Sequence, residues 1–291
     1  MPWKVRDQQI VLALQGGLGN QLFEWAFARA LQDQGRDILF DGSRCRGDRP
    51  LVVGPLVLPE RRLSRLSGLA LALAQKRGML NDRTSIRLVK QQKSGYDPSI
   101  MDRLTGRSYL LGYFQSPQYF EASRSSVDPS IRKLLNGMLT PSGSVLAARL
   151  RGDEHSVAVH VRRGDYLKDA GATARHGVLD RGYYDRALAH LDMLGHRNRV
   201  WFGDDPEWIR ANLVRDGDLV CPDDSTVCDG GEIALMASCS SRVIANSSFS
   251  WWAGWLGSPS SPTHPVIAPA TWFIDGHSDA RDLIPNEWLR L

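Results

Sequence analysis

The sequence predicts an α/β protein of two units, each with a parallel, doubly wound sheet. Three observations predict it. An apolar segment at 8–14 runs into a glycine-rich turn, a helical pattern and a second apolar segment at 37–41, which makes a β-α-β opening. From 156 to 268, short apolar segments alternate with helical patterns, and such alternation builds a parallel sheet. The charge is split as well: residues 1–150 hold 22 Lys/Arg and 12 Asp/Glu, and residues 151–291 hold 14 and 20. That asymmetry predicts two units with different tasks, 1–153 and 154–291.

Composition bounds the class. Of 291 residues, 42% are hydrophobic and 23% charged, which excludes a disordered or collagen-like chain. The longest weakly polar run, Leu66–Ala74, is too short to cross a bilayer, which takes ~20 residues. Ile10–Leu14 passes straight into Gln15-Gly16-Gly17 without the pattern of a signal peptide, so a cytoplasmic protein is expected. Cys45, Cys221, Cys228 and Cys239 form no CxxC, and reduced thiols are expected. The Arg-rich part lacks interleaved aromatics, so nucleic acid is not an expected partner.

The elements follow in order. Gln8–Leu14 is a strand, and Gly16, Gly17 and Gly19 form its turn. Leu22, Phe23, Ala26, Phe27, Ala30 and Leu31 predict a helix over about 20–34, closed by Gly35. Asp37–Asp41 is a buried strand. Leu63, Leu66, Leu69, Ala70 and Leu73 have helical spacing, and Arg107–Leu111 is a short strand. Asp128-Pro129 carries the signature of a helix start. Thr140–Ser144 is turn-rich and lies near the boundary. In the second unit, strands are expected at 156–161, 199–203, 219–221, 242–245 and 265–268. Helices are expected from Asp180 to about Leu194, after Asp205-Pro206, over 232–238, and from Ser247/Ser248 to Leu256.

Four motifs sit at strand ends, where open α/β sheets bind ligands. Gly16-Gly17-Leu18-Gly19-Asn20-Gln21 lets backbone approach a ligand at a helix N-terminus, or is only a tight turn capped by Asn20. It is not a full GxGxxG, because Leu22 stands at the third glycine's place. His160-Val161-Arg162-Arg163-Gly164-Asp165-Tyr166 offers two planar guanidinium forks to an anion. The bland alternative is an Arg163–Asp165 loop bridge and a core His160. Ala245-Asn246-Ser247-Ser248-Phe249-Ser250-Trp251-Trp252 opens a helix with hydroxyls and free N–H groups, a second anion cradle or a plain N-cap over core tryptophans. In Gly203-Asp204-Asp205-Pro206, Asp205 is assigned to the helix cap and Asp204 to a guanine or ribose contact. Walker A, HExxH and GxSxG patterns are absent, and the acidic pairs Asp204-Asp205 and Asp223-Asp224 are adjacent and not spaced as D-x-D, so no metal ligand set is expected; two arginines can neutralise a diphosphate instead.

Together GGLGNQLF at 16–23, LLGYFQSPQYF at 110–120, HVRRGDY at 160–166, His176-Gly177, Tyr183-Tyr184 and NSSFSWW at 246–252 resemble the α-1,2-fucosyltransferases of glycosyltransferase family 11. The motifs fall in that family's order over nearly the whole chain. The resemblance implies a GT-B-like pair of Rossmann-type domains, 1–153 on the acceptor side and 154–291 binding GDP-β-L-fucose. It implies metal-independent, inverting transfer of L-fucose to the 2-hydroxyl of a terminal β-galactoside, with no cofactor. By resemblance Arg162 meets the β-phosphate, and Asn20 and Gln21 lie near the reacting centre. The donor site implied comprises Gly17, Gly19, Asn20, Gln21, His160, Arg162, Arg163, Asp204, Asn246, Ser247, Ser248 and Phe249. Glu24 stands where the family has Gln. No glutamate matches a known base, so Asp165, Asp169 and His176 are the candidates. A different linkage or acceptor, and a non-catalytic nucleotide-sugar or glycan binder on the same fold, are the alternatives.

The stretch 61–93 holds nine Lys/Arg and a single acid, Asp82. One reading is a peripheral contact with an anionic inner membrane, where a lipid-linked glycan acceptor would be met. The other has Leu63, Leu66, Leu69 and Leu73 packed inward beneath a solvated basic face.

Overall fold

The computed structural model describes residues 8–80, 86–164, 170–276 and 278–291. The chain divides into two compact units, Met1–Ile131 with Arg281–Leu283, and Arg132–Ala280 with Ile284–Leu291. The boundary predicted at 153/154 therefore lies at 131/132. The turn-rich Thr140–Ser144 is a helix start rather than a linker. Thr140 Oγ1 accepts from the Gly143 N–H at 3.1 Å, with Pro141 at the first helical position. The Thr140 and Ser142 hydroxyls both donate to the Asp224 carbonyl, which ties this helix to the second unit.

The first unit runs β1 (Ile10–Ala13), α1 (Leu18–Asp33), β2 (Ile38–Asp41), α2 (Arg65–Lys76), β3 (Arg87–Lys90), α3 (Ser99–Arg103) and β4 (Ser108–Leu111). Its four strands pair in parallel in the order β2-β1-β4-β3. All four β1 residues are buried, as a strand covered on both faces requires. α1 buries the apolar positions that its spacing predicts, and it begins two residues earlier, with Gly17 as N-cap. β3 was not legible: it is an edge strand in which only Val89 is buried, between Arg87 and Lys90.

α2 turns differently from the expectation of an inward leucine face. Gly68, Leu71, Ala72 and Ala74 are its buried residues, and Leu66 is 79% exposed and Leu73 49%. The cause is Gly68, whose missing side chain lets the helix press onto the Asp41 carboxylate and Ser43 at the end of β2. α4 (Arg124–Asn136) also departs from its sequence signature. It begins four residues before Asp128, which pairs with Arg124 at 2.9 Å, so Pro129 lies inside the helix and costs it one hydrogen bond.

The second unit continues with α5 (Pro141–Arg151), β5 (Ser156–Val161), α6 (Ala170–His176), α7 (Arg181–Met193), β6 (Asn198–Gly203), α8 (Pro206–Asn212) and β7 (Leu219–Val220). α9 (Gly230–Ala237), β8 (Ser241–Val243), α10 (Ser248–Leu256), β9 (Val266–Ala268) and β10 (Leu289–Arg290) follow. Its parallel sheet has the order β10-β9-β8-β5-β6-β7. The core packs Val157, Val159 and Trp201 against Tyr184, Leu188 and Leu191 of α7. Trp251 and Trp252 are fully buried, and Trp255 stacks on Trp251 at 5.3 Å, so the tryptophans are core. Arg242 is buried too; it donates to the Cys239 and Ser258 carbonyls and braces the chain after α9 and after α10. The four cysteines are free thiols. No helix among the described residues is long and apolar enough to cross a membrane.

Candidate active site

In the second sheet the chain leaves β5 toward β6 and β7, then returns to β8, β9 and β10 on the other side. That reversal opens a crevice beyond the strand ends between β5 and β8, where doubly wound sheets bind ligands. Val159 pairs with Val243, so Arg162, three residues on, and Ser247, four residues on, follow neighbouring strands. The arginine motif and the serine motif thus come to one end of the sheet.

Arg162 is held there by Asp204 at the end of β6. Its Nη1 lies 3.0 Å from Asp204 Oδ2, and the Arg163 backbone N–H donates to Asp204 Oδ1 at 2.9 Å. Two glycines permit this approach. A Cβ at Gly164 would meet the Asp204 carboxylate, and one at Gly203 would overlap the Val161 carbonyl. Asp204, assigned from sequence to a ligand contact, has both oxygens engaged in orienting the arginine loop.

Arg163 is used otherwise than the sequence suggests. Its guanidinium carbon lies 3.7 Å from the centre of the Trp208 ring, and its Nε is 3.5 Å from Asp205 Oδ2. It is packed onto α8 rather than presented to an anion. Asp205 also caps α8, as predicted, accepting from the Trp208 N–H at 3.1 Å. His160 is buried against Phe249, with ring centres 5.6 Å apart. Burial, helped by the Arg162 charge, pushes its pKa down to about 3, so the ring is neutral at physiological pH. Its Nδ1 has no hydrogen-bond partner among the described residues.

The serine motif forms a helix start, as its sequence predicts. Ser247 caps α10, accepting from the Phe249 N–H at 3.3 Å, and leaves Ser248 and Phe249 half-buried at the helix N-terminus. Asn246 is a brace: its Nδ2 donates to the His176 carbonyl at 2.7 Å and to the Trp272 carbonyl at 3.4 Å. His176, the last residue of α6, packs its ring 5.2 Å from Phe273. Asp165 and Asp169, the other two candidate bases, lie outside the described residues, as do Tyr166 and Lys168.

Sequence reasoning missed Glu232, in the first turn of α9. Burial, then the charges of Asp229, Asp204 and Asp223, push its carboxyl up to about 7. The available signal was Gly230-Gly231-Glu232, an acid just inside a helix that follows a strand. No group of three His, Cys, Asp or Glu side chains able to hold a metal occurs among the described residues.

The first unit has a matching crevice, between β1 and β4, where its strand order reverses. Asn20, in the first turn of α1, has its Oδ1 held by Gln115 Nε2 at 2.7 Å, so one residue from each side of the crevice is joined. Gly16 has φ +74°, and a Cβ there would collide with the Asn20 side chain. Gly17 approaches Arg49, and Gly19 is buried within α1. Gln21 is a correction. It is fully buried, its Nε2 donates to the Gly16 and Pro50 carbonyls, and its Oε1 accepts from the Val52 N–H. It clamps the 50–53 loop and has no amide group left for a sugar. Glu24 is wholly buried, and desolvation raises its pKa well above the usual carboxylate range; one oxygen accepts from the Gln15 N–H.

The family model described as Glycosyl transferase family 11 matches residues 87–290. An α-1,2-colitosyltransferase of Escherichia coli is 27% identical over 97% of this chain and 98% of its own length. A galactoside 2-α-L-fucosyltransferase of Caenorhabditis elegans is 24% identical over 97% of this chain and 79% of its own. The selenomethionine crystal structure of fucosyltransferase NodZ from Bradyrhizobium shares the fold with a TM-score of 0.51, at 12% identity, over 87% of this chain and 93% of that one.

Proposed function

We propose, from the premise that the chain belongs to glycosyl transferase family 11, that it transfers L-fucose from GDP-β-L-fucose to the 2-hydroxyl of a terminal β-galactoside with inversion. The observation that carries the reading is Arg162, fixed by Asp204 beside the N-terminus of α10 at the switch point of the second sheet. As the bond from fucose C1 to the β-phosphate oxygen breaks, negative charge builds on the departing GDP. The Arg162 fork and the positive N-terminal end of α10 oppose that charge where it forms, and no reorganisation is needed at that moment. C1 becomes oxocarbenium-like, and the galactose O2 attacks from the opposite face. Its proton passes to a base, for which Asp165, Asp169 and His176 are the candidates.

In this reading the second unit takes the nucleotide and the first takes the acceptor, with the Asn20–Gln115 pair on the acceptor side. Arg162 and the positive end of α10 support metal-independent transfer, and Arg163 serves by anchoring the loop and not by touching phosphate. A second reading, a colitosyl donor in place of fucosyl, is favoured by the near full-length match to the α-1,2-colitosyltransferase.

The test is transfer from labelled GDP-fucose to a panel of β-galactosides that includes a 2-deoxygalactoside. Label should reach the galactosides and not the 2-deoxy analogue. Transfer to the 2-deoxy compound would refute the linkage. Failure with GDP-fucose together with success using GDP-colitose would replace the donor.

A further inference from the structure

We propose that the outward face of α2 is a docking surface for an anionic lipid bilayer. Leu66, Leu69, Ala70 and Leu73 recur at helical spacing on one stripe, while the opposite stripe, Gly68, Leu71 and Ala72, is buried. Leu71 packs with Val11 and Tyr109 in the core of the first unit. On the outer stripe Leu69 and Ala70 are half-buried, while Leu66 is 79% exposed, Leu73 49%, and Met79, just past the helix, 52%. Exposed leucines one helical stripe long mark an interaction surface.

Cations flank this stripe at both ends. Arg65, Lys76 and Arg77 are exposed, and their side chains make no ion pair among the described residues. Lys76 and Arg77 suit the negative end of the helix dipole, but Arg65 stands in the first turn, where a cation opposes it. Helix stability therefore does not account for Arg65. Three other cations of the basic stretch belong to the fold. Arg61 pairs with Asp37, Arg62 clamps the Gly54 and Val57 carbonyls, and Arg87 donates to Thr105. The surface is thus α2 and its ends, not the whole of 61–93.

Charge selects the occupant. A second copy of the same face would bring three cations against three, which disfavours self-association. A bilayer takes leucines into the boundary between headgroups and acyl chains and cations among anionic headgroups.

The experiment is co-sedimentation of the whole protein with phosphatidylcholine vesicles and with vesicles containing phosphatidylglycerol, at low and high salt. The wild type should bind the anionic vesicles more tightly by roughly ten- to a hundredfold, an advantage that salt removes. Arg65→Glu/Lys76→Glu/Arg77→Glu should reduce binding to the neutral level. Leu66→Ser/Leu73→Ser should weaken binding to both vesicle types. Unchanged melting temperatures show that both variants fold. Equal, weak binding to both vesicles by the wild type would overturn the proposal, and so would wild-type binding by either variant. A dimer that Leu66→Ser/Leu73→Ser dissolves, without vesicle binding, would assign the face to self-association instead.

Discussion

Asp204 and Arg162 meet at 3.0 Å between the ends of two adjacent strands, and the second oxygen of Asp204 takes the backbone N–H of Arg163. One carboxylate therefore sets both the side chain that faces the proposed phosphate and the loop that carries it. Arg162→Lys keeps the charge and loses the planar fork. Turnover should fall by orders of magnitude with the melting curve unchanged. Asp204→Asn keeps the shape and weakens a charge-assisted bond, so it should cost about tenfold. Near wild-type turnover in Arg162→Lys would remove it from the mechanism.

Arg163 should behave differently from its neighbour. Its guanidinium lies over Trp208, and stacking of this kind contributes about 1 kcal/mol at a partly exposed site. Arg163→Lys should lower stability by that order in a denaturant titration, with a much smaller loss of turnover than Arg162→Lys. Equal losses of turnover would mean that both arginines touch the donor.

Glu232 makes stability depend on pH. Its carboxyl is pushed up to about 7, above the ordinary value of 4.5, so between these values the folded chain holds a proton that the unfolded chain has lost. Stability should therefore fall as pH rises through that window, by about 3 kcal/mol, and stay lower above it. Glu232→Gln removes the dependence. Melting temperatures of the two proteins should agree near pH 4 and diverge in favour of Gln at pH 8. Parallel curves would show that the carboxyl is not perturbed.

Metal dependence is settled by chelation. Activity with GDP-fucose should survive excess EDTA, because guanidinium and helix N–H groups supply the positive charge. Loss of activity on chelation, restored by one specific cation, would overturn that argument. General stimulation by several cations would not, since they bind the released GDP.

Much of the fold was legible because apolar spacing and capping residues act locally. Asp180 and Asp205 cap the helices predicted for them. The failures have tertiary causes. The inward face of α2 was set by Gly68 packing onto Asp41, which no periodicity reveals. α5 carries the signature of a turn because Pro141 and Gly143 sit in its first turn, where a helix tolerates them. In the candidate site, the motifs fall at the strand ends beside the switch point but do not divide the labour within them. Adjacent Arg162 and Arg163 look alike in sequence, and only Trp208 and Asp204 distinguish them. Gln21 follows Asn20 in the same motif, yet faces the 50–53 loop. Glu232 was hidden because a raised carboxyl pKa depends on burial and on acids brought from other loops.

The most direct test is the NMR spectrum of the product made from GDP-β-L-fucose and a β-galactoside. An α-configured fucose H1, with a through-bond correlation from fucose C1 to galactose H2, is the predicted result. A β-configured fucose, a correlation to any other galactose position, or hydrolysis of the donor without a disaccharide would contradict the account.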